Sequence, residues 1–297
     1  MSKGRIRYAR STAALIGALL PLSASLAAVF VVDDSKRTVT LREPARRIVS
    51  LAPHTTELLY AAGAGPSVVG VSEHSNYPPE ATSLPSVGGV AAPDMEQVLA
   101  LKPDLVVAWA SGNSSAQIAK LRSLGIPVFE SEPRDFATIA SSLERLARLA
   151  GTEGVAQAQA DRFRARLERL RSDYQQRPGV TVFYQIWRVP LMTLNGQHLV
   201  SAAIRLCGGE NIFGGLPQLA PTVGIESVLK ANPEAMIASG GAKDDPFAGW
   251  RRFRALTAVA RGNLFMVDGD LMNRATPRVL DATEVLCRQL ETARAKR

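Results

Sequence analysis

The stretch MEQVLALKPDLVVA, Met95 to Ala108, returns 130 residues downstream as IESVLKANPEAMIA, Ile225 to Ala238. Counted from Glu96 and Glu226, the two copies share Glu at the first position, Val-Leu at the third and fourth, Pro at the eighth, an acid at the ninth and Ala at the thirteenth. In each copy apolar residues recur at helical spacing as far as the proline, which cannot extend a helix and drives its predecessor toward extended geometry. The runs that follow, Leu105 to Ala108 and Ala235 to Ala238, have the length and composition of strands buried in a parallel sheet. A helix feeding a strand, written twice, predicts two similar lobes.

Outward from the first copy, Val29 to Val39 reads as one extended segment and Arg47 to Leu51 as a strand. Thr55 to Ala62 reads as a helix ended by Gly63, with Thr55 or Thr56 as its cap and Glu57 in the positive first turn. Then come a strand at Val68 to Val71, a helix over Ala116 to Leu124 and a strand from Pro127 to Glu130. Such alternation means a parallel sheet covered on both faces. From Phe136 to Gln176 the chain is helical with one break at Gly151 to Gly154, and Phe163, Leu167, Leu170 and Tyr174 form one apolar stripe. The second lobe repeats the plan: strand Thr181 to Gln185, helix Leu199 to Leu206, the repeated unit, helix Ala248 to Ala260, strand Leu264 to Val267 and helix Val279 to Arg294. The expected fold is α/β, two Rossmann-like lobes with parallel sheets joined by a single long backbone helix. The lobes are placed at residues 28–150 and 178–297, with the linking helix at 151–177. Open α/β sheets collect ligands at their strand ends, so the cleft between the lobes is the expected site.

Residues 1–27 are set apart from this plan. A basic start (Lys3, Arg5, Arg7, Arg10), a mostly apolar run from Ser11 to Leu22 and Ser25-Leu26-Ala27 have the form of a cleaved signal peptide. The apolar run is shorter than the roughly 20 residues a bilayer span needs. An exported, periplasmic protein without a lipid anchor is expected. The leader holds four basic residues and none of the 27 acids, so its removal lowers the formal charge from +8 to +4. The remaining arginines between Arg162 and Arg171 lack interleaved aromatics and read as a solvated helix face, which argues against nucleic acid as a partner. The two cysteines, Cys207 and Cys287, are an even count in an exported chain, which favours a disulfide over two buried thiols or a metal pair.

Motifs for catalysis do not appear: the chain has no G-x-S-x-G elbow, no phosphate-cradling glycine loop and no H-E-x-x-H helix, and an enzyme is not expected. Polar and aromatic residues instead follow the expected strands: His54, the Glu73 to Tyr77 loop with His74, Trp109 to Asn113, Trp187, and Asp270 to Arg274. All could line one cleft suited to a bulky, partly apolar ligand.

The segments RIVSLAPHTTELLYAAGAG, NYPPE, ALKPDLVVAW, CGGENIF (Cys207 to Phe213) and NRATPRVL (Asn273 to Leu280) resemble the helical-backbone class of periplasmic solute-binding proteins, and within it the cobalamin-binding receptors of ABC importers. The class also takes haem and ferric siderophores, which stand as the alternative ligands. A metal-dependent enzyme on the same scaffold is a remoter alternative. The resemblance implies a corrinoid bound between the lobes as transported ligand, no cofactor, and a monomeric receptor that docks on a membrane permease dimer. It implies that Glu96 and Glu226 are the two docking anchors, one per lobe, which accounts for the repeated glutamate. It pairs Cys207 with Cys287 and keeps Trp109 and Asp270 at pocket positions with Arg274 just beyond them. Val90 and Ala220 stand where the cobalamin receptors carry tryptophan, and His74 where they carry an aromatic residue. Trp187 is expected to replace part of that lost stacking surface, and His74 is a candidate axial ligand for cobalt or iron. The expected ligand-binding set is therefore His54, His74, Tyr77, Trp109, Trp187, Asp270 and Arg274.

Overall fold

A computed structural model describes residues 28–240 and 245–297 together with Met1 and Gly4. The expected leader, residues 1–27, lies but for those two positions outside the described residues.

The first difference from expectation is at the start. Val29–Val39 is not one extended segment but an antiparallel hairpin, β1 (Val29–Val32) and β2 (Thr38–Leu41). The chain reverses because the Asp33 carboxylate accepts from the Arg37 N–H at 2.8 Å and Lys36 takes a left-handed conformation at φ 64°.

The N-terminal lobe then runs β3 (Ile48–Ser50), α1 (Pro53–Ala61), β4 (Val68–Val71), α2 (Met95–Ala100), β5 (Leu105–Trp109), α3 (Ser115–Ser123), β6 (Val128–Ser131) and α4 (Phe136–Ala150). After α5 (Glu153–Tyr174) the C-terminal lobe runs β7 (Val180–Gln185), α6 (Leu199–Leu206), β8 (Gly209–Asn211), α7 (Ile225–Ala231), β9 (Ala235–Ser239), α8 (Thr257–Ala260), β10 (Leu264–Val267), α9 (Gly269–Met272) and α10 (Val279–Ala295). The sheets are ordered β4-β3-β5-β6 and β8-β7-β9-β10, all pairs parallel. The two orders are the same when each strand is matched to its counterpart, so the duplication extends from the repeated segment to the whole lobe.

The repeated positions have equivalent physical jobs. Val98 and Val228 are fully buried under their sheets. The acid at the ninth position ties the neighbouring strand at its entry. Asp104 accepts from the backbone N–H groups of Arg46 (2.8 Å) and Arg47 (3.0 Å) ahead of β3, and Glu234 accepts from Thr181 N–H (3.2 Å) in β7. The strands β5 and β9, each buried on both faces up to the last residue, fill the centre of their sheets.

Two local expectations are corrected. The first helix is capped by Ala52 with Pro53 at its first position, not by Thr55 or Thr56. Both threonines are buried, and their hydroxyls bind Ser50 Oγ at 2.7 and 2.8 Å. Glu57 accordingly lies beyond the first turn. The helix expected over Ala248 to Ala260 forms only at its end, as α8. The buried residues Phe247, Trp250, Leu256 and Ala258 do not fall on one helical face, and Trp250 donates its indole N–H to Gln185 Oε1 at 2.8 Å, which draws the segment into turns against β7. Strand β8, within CGGENIF, was not anticipated; Gly208 at φ 69° turns the chain into it, with the Tyr174 and Arg177 carbonyls too close for a side chain there.

The 22 residues of α5 span about 33 Å. At its start the Thr152 hydroxyl donates to the Ala62 carbonyl of α1 at 2.6 Å, and Val155 packs on Gly63. Farther along, Arg166 pairs with Asp281 and Glu284 of α10. Ala156, Ala160, Phe163, Leu167 and Leu170 form its buried stripe, so one core runs from lobe to lobe beneath a single helix.

Cys207 and Cys287 are joined as a disulfide that ties the end of α6 to α10 across 80 residues of chain. A loop of that length stabilises by about 4–5 kcal/mol through the entropy it removes from the unfolded chain. Reduction, or replacement of both cysteines by serine, is expected to lower the thermal midpoint by roughly 10 °C, read by circular dichroism with and without reductant.

Candidate functional site

In each lobe the strand order reverses beside its first strand, and the loops that leave neighbouring strands there diverge to open a crevice. In the N-terminal lobe His54 lies at the start of α1, just after β3, and Trp109 ends β5. In the C-terminal lobe the loops after β7 and β9 carry Trp187 and Gly240.

The local chemistry holds these loops rigid. Asn113 accepts from the Trp109 N–H (2.6 Å) and donates to the Leu51 (3.1 Å) and Val90 (2.6 Å) carbonyls, so one buried amide ties three loops together. Gly112 is required by contact: a Cβ there would lie 2.1 Å from the Trp109 ring. Beside them a chain of buried hydroxyls joins Ser50, Thr56, Ser75 and Ser72 with spacings of 2.8 to 3.2 Å. It fastens the start of α1 to the 72–76 loop.

Between the lobes lies a cavity of about 220 Å³. His54 and Trp109 meet edge to face with ring centroids 5.5 Å apart. Val90 and Leu219 add apolar wall, Glu132 and Arg134 enter from the loop after β6, and His198 and Arg274 face them from the C-terminal lobe. Burial, and then the Arg274 charge, lower the His54 pKa to about 4. Burial, and then Arg134, lower that of His198 to about 4. Both imidazoles are therefore neutral at neutral pH.

Beside the cavity is a feature with no warning in the sequence. Glu57 of α1 is 4% exposed, and its carboxylate accepts from Arg274 Nη1 (2.9 Å), Arg278 Nη1 (3.2 Å) and the Thr276 hydroxyl (3.0 Å), all from the other lobe. Arg274 also donates to Asn76 Oδ1 (2.6 Å) and the His74 carbonyl (3.4 Å) and pairs with Asp270 (2.9 Å). The Arg278 guanidinium lies 3.7 Å from the Tyr77 ring centroid. Two arginines balance one buried carboxylate and one exposed one, and removing either side of such a buried pair costs about 3–5 kcal/mol.

The expected binding residues thus divide into three groups. His54, Trp109 and Arg274 line the inter-lobe cavity. Trp187, 61% exposed, lines a separate opening with Gln185, Ser239 and Gly240. His74, Tyr77 and Asp270 do not line the cavity; they belong to the Glu57 junction, because the loop that carries His74 and Tyr77 is drawn onto Arg274 and Arg278. His74 is exposed at φ 63° and contributes its carbonyl there. Among the described residues no three His, Cys, Asp or Glu side chains are grouped to hold a metal. Arg134, His198 and Arg278 escaped the reading of the sequence as site residues, and Glu57 was read only as a first-turn helix residue, since each lies in a segment that reads as ordinary helix, loop or cap; Asn113 fell within the expected Trp109 to Asn113 stretch.

Glu96 and Glu226 occupy the second position of α2 and α7, exposed in both cases, and among the described residues neither forms an ion pair. Asp94 caps α2 by accepting from the N–H groups of Glu96 (3.0 Å) and Gln97 (3.1 Å). The cap satisfies the helix end and leaves the Glu96 carboxylate free to point outward.

Duplicated parallel-sheet lobes, a single connecting helix and a cavity between paired switch points define a bilobed ligand-binding protein. The model of the family described as "Periplasmic binding protein" matches residues 48–271, and the chain belongs to that family of solute receptors of the periplasm. A Vitamin B12-binding protein of Vibrio cholerae is 41% identical over 251 residues, 84% of this chain and 91% of its own. One of Yersinia pestis is 38% identical over 250 residues, 84% of this chain and 87% of its own. The crystal structure of the periplasmic vitamin B12-binding protein BtuF of Vibrio cholerae superimposes with a TM-score of 0.79 at 40% identity, covering 84% of this chain and 98% of that one. The periplasmic haem-binding protein RhuT of a Roseiflexus species, at 22% identity and a TM-score of 0.73, shares the fold.

The neutral histidines give a pH dependence. An unfolded chain protonates its imidazoles near pH 6.5, whereas folded His54 resists until about pH 4. Between those values the unfolded state binds more protons, so stability falls as the pH is lowered through the window, by about 3 kcal/mol for His54. Urea midpoints measured at pH 7.5 and 4.5 are expected to show this loss, and His54→Leu to reduce it.

Proposed function

We propose that this protein binds cobalamin, or a closely related corrinoid, in the inter-lobe cavity and delivers it to the permease of an ABC importer. The observation that carries this reading is the cavity itself, a crevice at the switch points of two matched lobes walled by Trp109, in a chain 41% identical to a vitamin B12-binding protein. His54, Trp109 and Arg274 contact the ligand, and Trp187 extends the apolar surface on the other lobe. Val90 leaves a smaller wall than a tryptophan would, so the corrin is held with less stacking area. The lobes are assigned to residues 28–150 and 178–297 around a linker at 151–177, in keeping with the two sheets. Residues 1–27 act as the export signal.

Glu96 and Glu226 are read as anchors on the two halves of the permease. Their equivalent places in duplicated lobes, at exposed first turns, support this. An exposed carboxylate there gains about 0.3–1 kcal/mol from the helix dipole and contributes more to orientation and encounter than to affinity. With the core continuous beneath α5 and the Glu57 junction clasping both lobes, only a small closure accompanies binding.

A haem-binding reading is favoured by one observation, the neutral His54 imidazole in the cavity, a suitable partner for a macrocycle-bound metal. Calorimetric titration with cyanocobalamin and haemin separates the two. One-to-one binding of cyanocobalamin that weakens at least tenfold in Trp109→Ala is expected; haemin binding that depends on His54, with no response to cyanocobalamin, would transfer the function to haem. The double change Glu96→Ala with Glu226→Ala is expected to abolish ligand uptake by cells while the affinity of the purified protein stays within twofold. Normal uptake by that variant would remove the docking role.

A further inference from the structure

The cavity wall opposite Trp109 has a charge pattern of its own. Arg134 reaches it from the N-terminal lobe, and among the described residues its guanidinium has neither an ion pair nor a hydrogen bond. His198 reaches it from the C-terminal lobe as the cap of α6. Its Nδ1 accepts from the Val200 N–H at 3.1 Å, which places the ring proton on Nε2 and makes that nitrogen a donor. Leu199, the first residue of α6, also lines the cavity, so the positive end of that eight-residue helix faces the same space. His54, 7% exposed on the same cavity, has an Nε2 with no partner among the described residues. One carboxylate, Glu132, shares this wall. Glu132 is held by the Ser111 N–H at 2.9 Å, and Arg274, also on this cavity, is already balanced by Glu57 and Asp270.

We propose that Arg134 and His198, one from each lobe, form an anion subsite at the start of α6 that binds an anionic oxygen group of the transported ligand. This rests on the corrinoid reading for the identity of the group: a cobalamin carries one phosphodiester, in the strap to its nucleotide base, and cobinamide lacks it. The guanidinium supplies charge and paired donors, and the histidine supplies one donor whose direction is set by the helix cap. Because the two residues come from different lobes, the subsite bridges the cavity only when the lobes are in the arrangement the Glu57 junction holds. Discrimination between complete and truncated corrinoids follows, since only the complete ligand carries the phosphodiester that the Arg134 guanidinium and the His198 Nε2 donor engage.

The test is calorimetric titration of the wild type, Arg134→Ala and His198→Asn with cyanocobalamin and dicyanocobinamide. Asparagine retains a capping oxygen for α6 but lacks the Nε2 donor, so it separates the subsite from helix stability. Each substitution is expected to weaken cyanocobalamin by on the order of tenfold or more and to leave cobinamide within twofold. Equal losses for both corrinoids, or an unchanged cyanocobalamin affinity, would overturn the subsite while leaving the corrinoid reading in place. If the wild type binds neither corrinoid but binds haemin, the corrinoid reading fails and the haem propionates become the anion. The same two variants must then weaken haemin and spare its dimethyl ester, and indifference to them overturns the subsite. Binding of none of these ligands overturns both.

Discussion

The arrangement of the two lobes depends on one buried carboxylate. Glu57 rises from the first helix of the N-terminal lobe and is met by Arg274, Thr276 and Arg278 of the C-terminal lobe. A charge so placed is tolerated only when its partners are present, and here every partner lies more than 200 residues away in the chain. The ion cluster is thus satisfied in one relative placement of the lobes and unsatisfied in others. Its contribution is to specify that placement, more than to add net stability. Arg274 carries the consequence into function, because the same guanidinium that neutralises Glu57 also forms part of the cavity wall.

The junction works together with two other constraints. Helix α5 lays one apolar stripe across both lobes, which turns two cores into one continuous body, and the disulfide secures α6 against α10 at the far end of that body. The cavity therefore lies between stiff walls: on one side loops tied by the Asn113 amide, on the other the start of α6 with its His198 cap. A preorganised cavity loses little entropy on binding, which suits a receptor whose task is capture and delivery.

Duplication explains why the binding site and the candidate docking points share one design. Each lobe contributes the same strand order, hence the same crevice beside its first strand, and the same short helix with an exposed glutamate. The repeat's acid at the ninth position shows how strictly the plan is kept, since Asp104 and Glu234 each fasten the neighbouring strand at the same place. The lobes diverge where the ligand lies. His54 and Trp109 furnish one crevice and Trp187 the other, while α6 brings His198 opposite Arg134 with no equivalent pairing.

The repeated segment, the strand and helix alternation and the apolar stripe of α5 determine the fold from the sequence alone, because periodicity and breakers act over a few neighbouring residues. The positions of His54, Trp109 and Arg274 at strand or helix ends were legible for the same reason. Helix Ala248 to Ala260 was misread because its local propensity lost to the burial of Phe247 and Trp250 and to one hydrogen bond with Gln185. The separation of His74, Tyr77 and Asp270 from the cavity, the burial of Glu57 and the meeting of Arg134 with His198 were decided by tertiary structure. Each depends on charges and donors hundreds of residues apart in several cases, and the energy of an ionised group is set by what surrounds it in space, not by its neighbours in the chain.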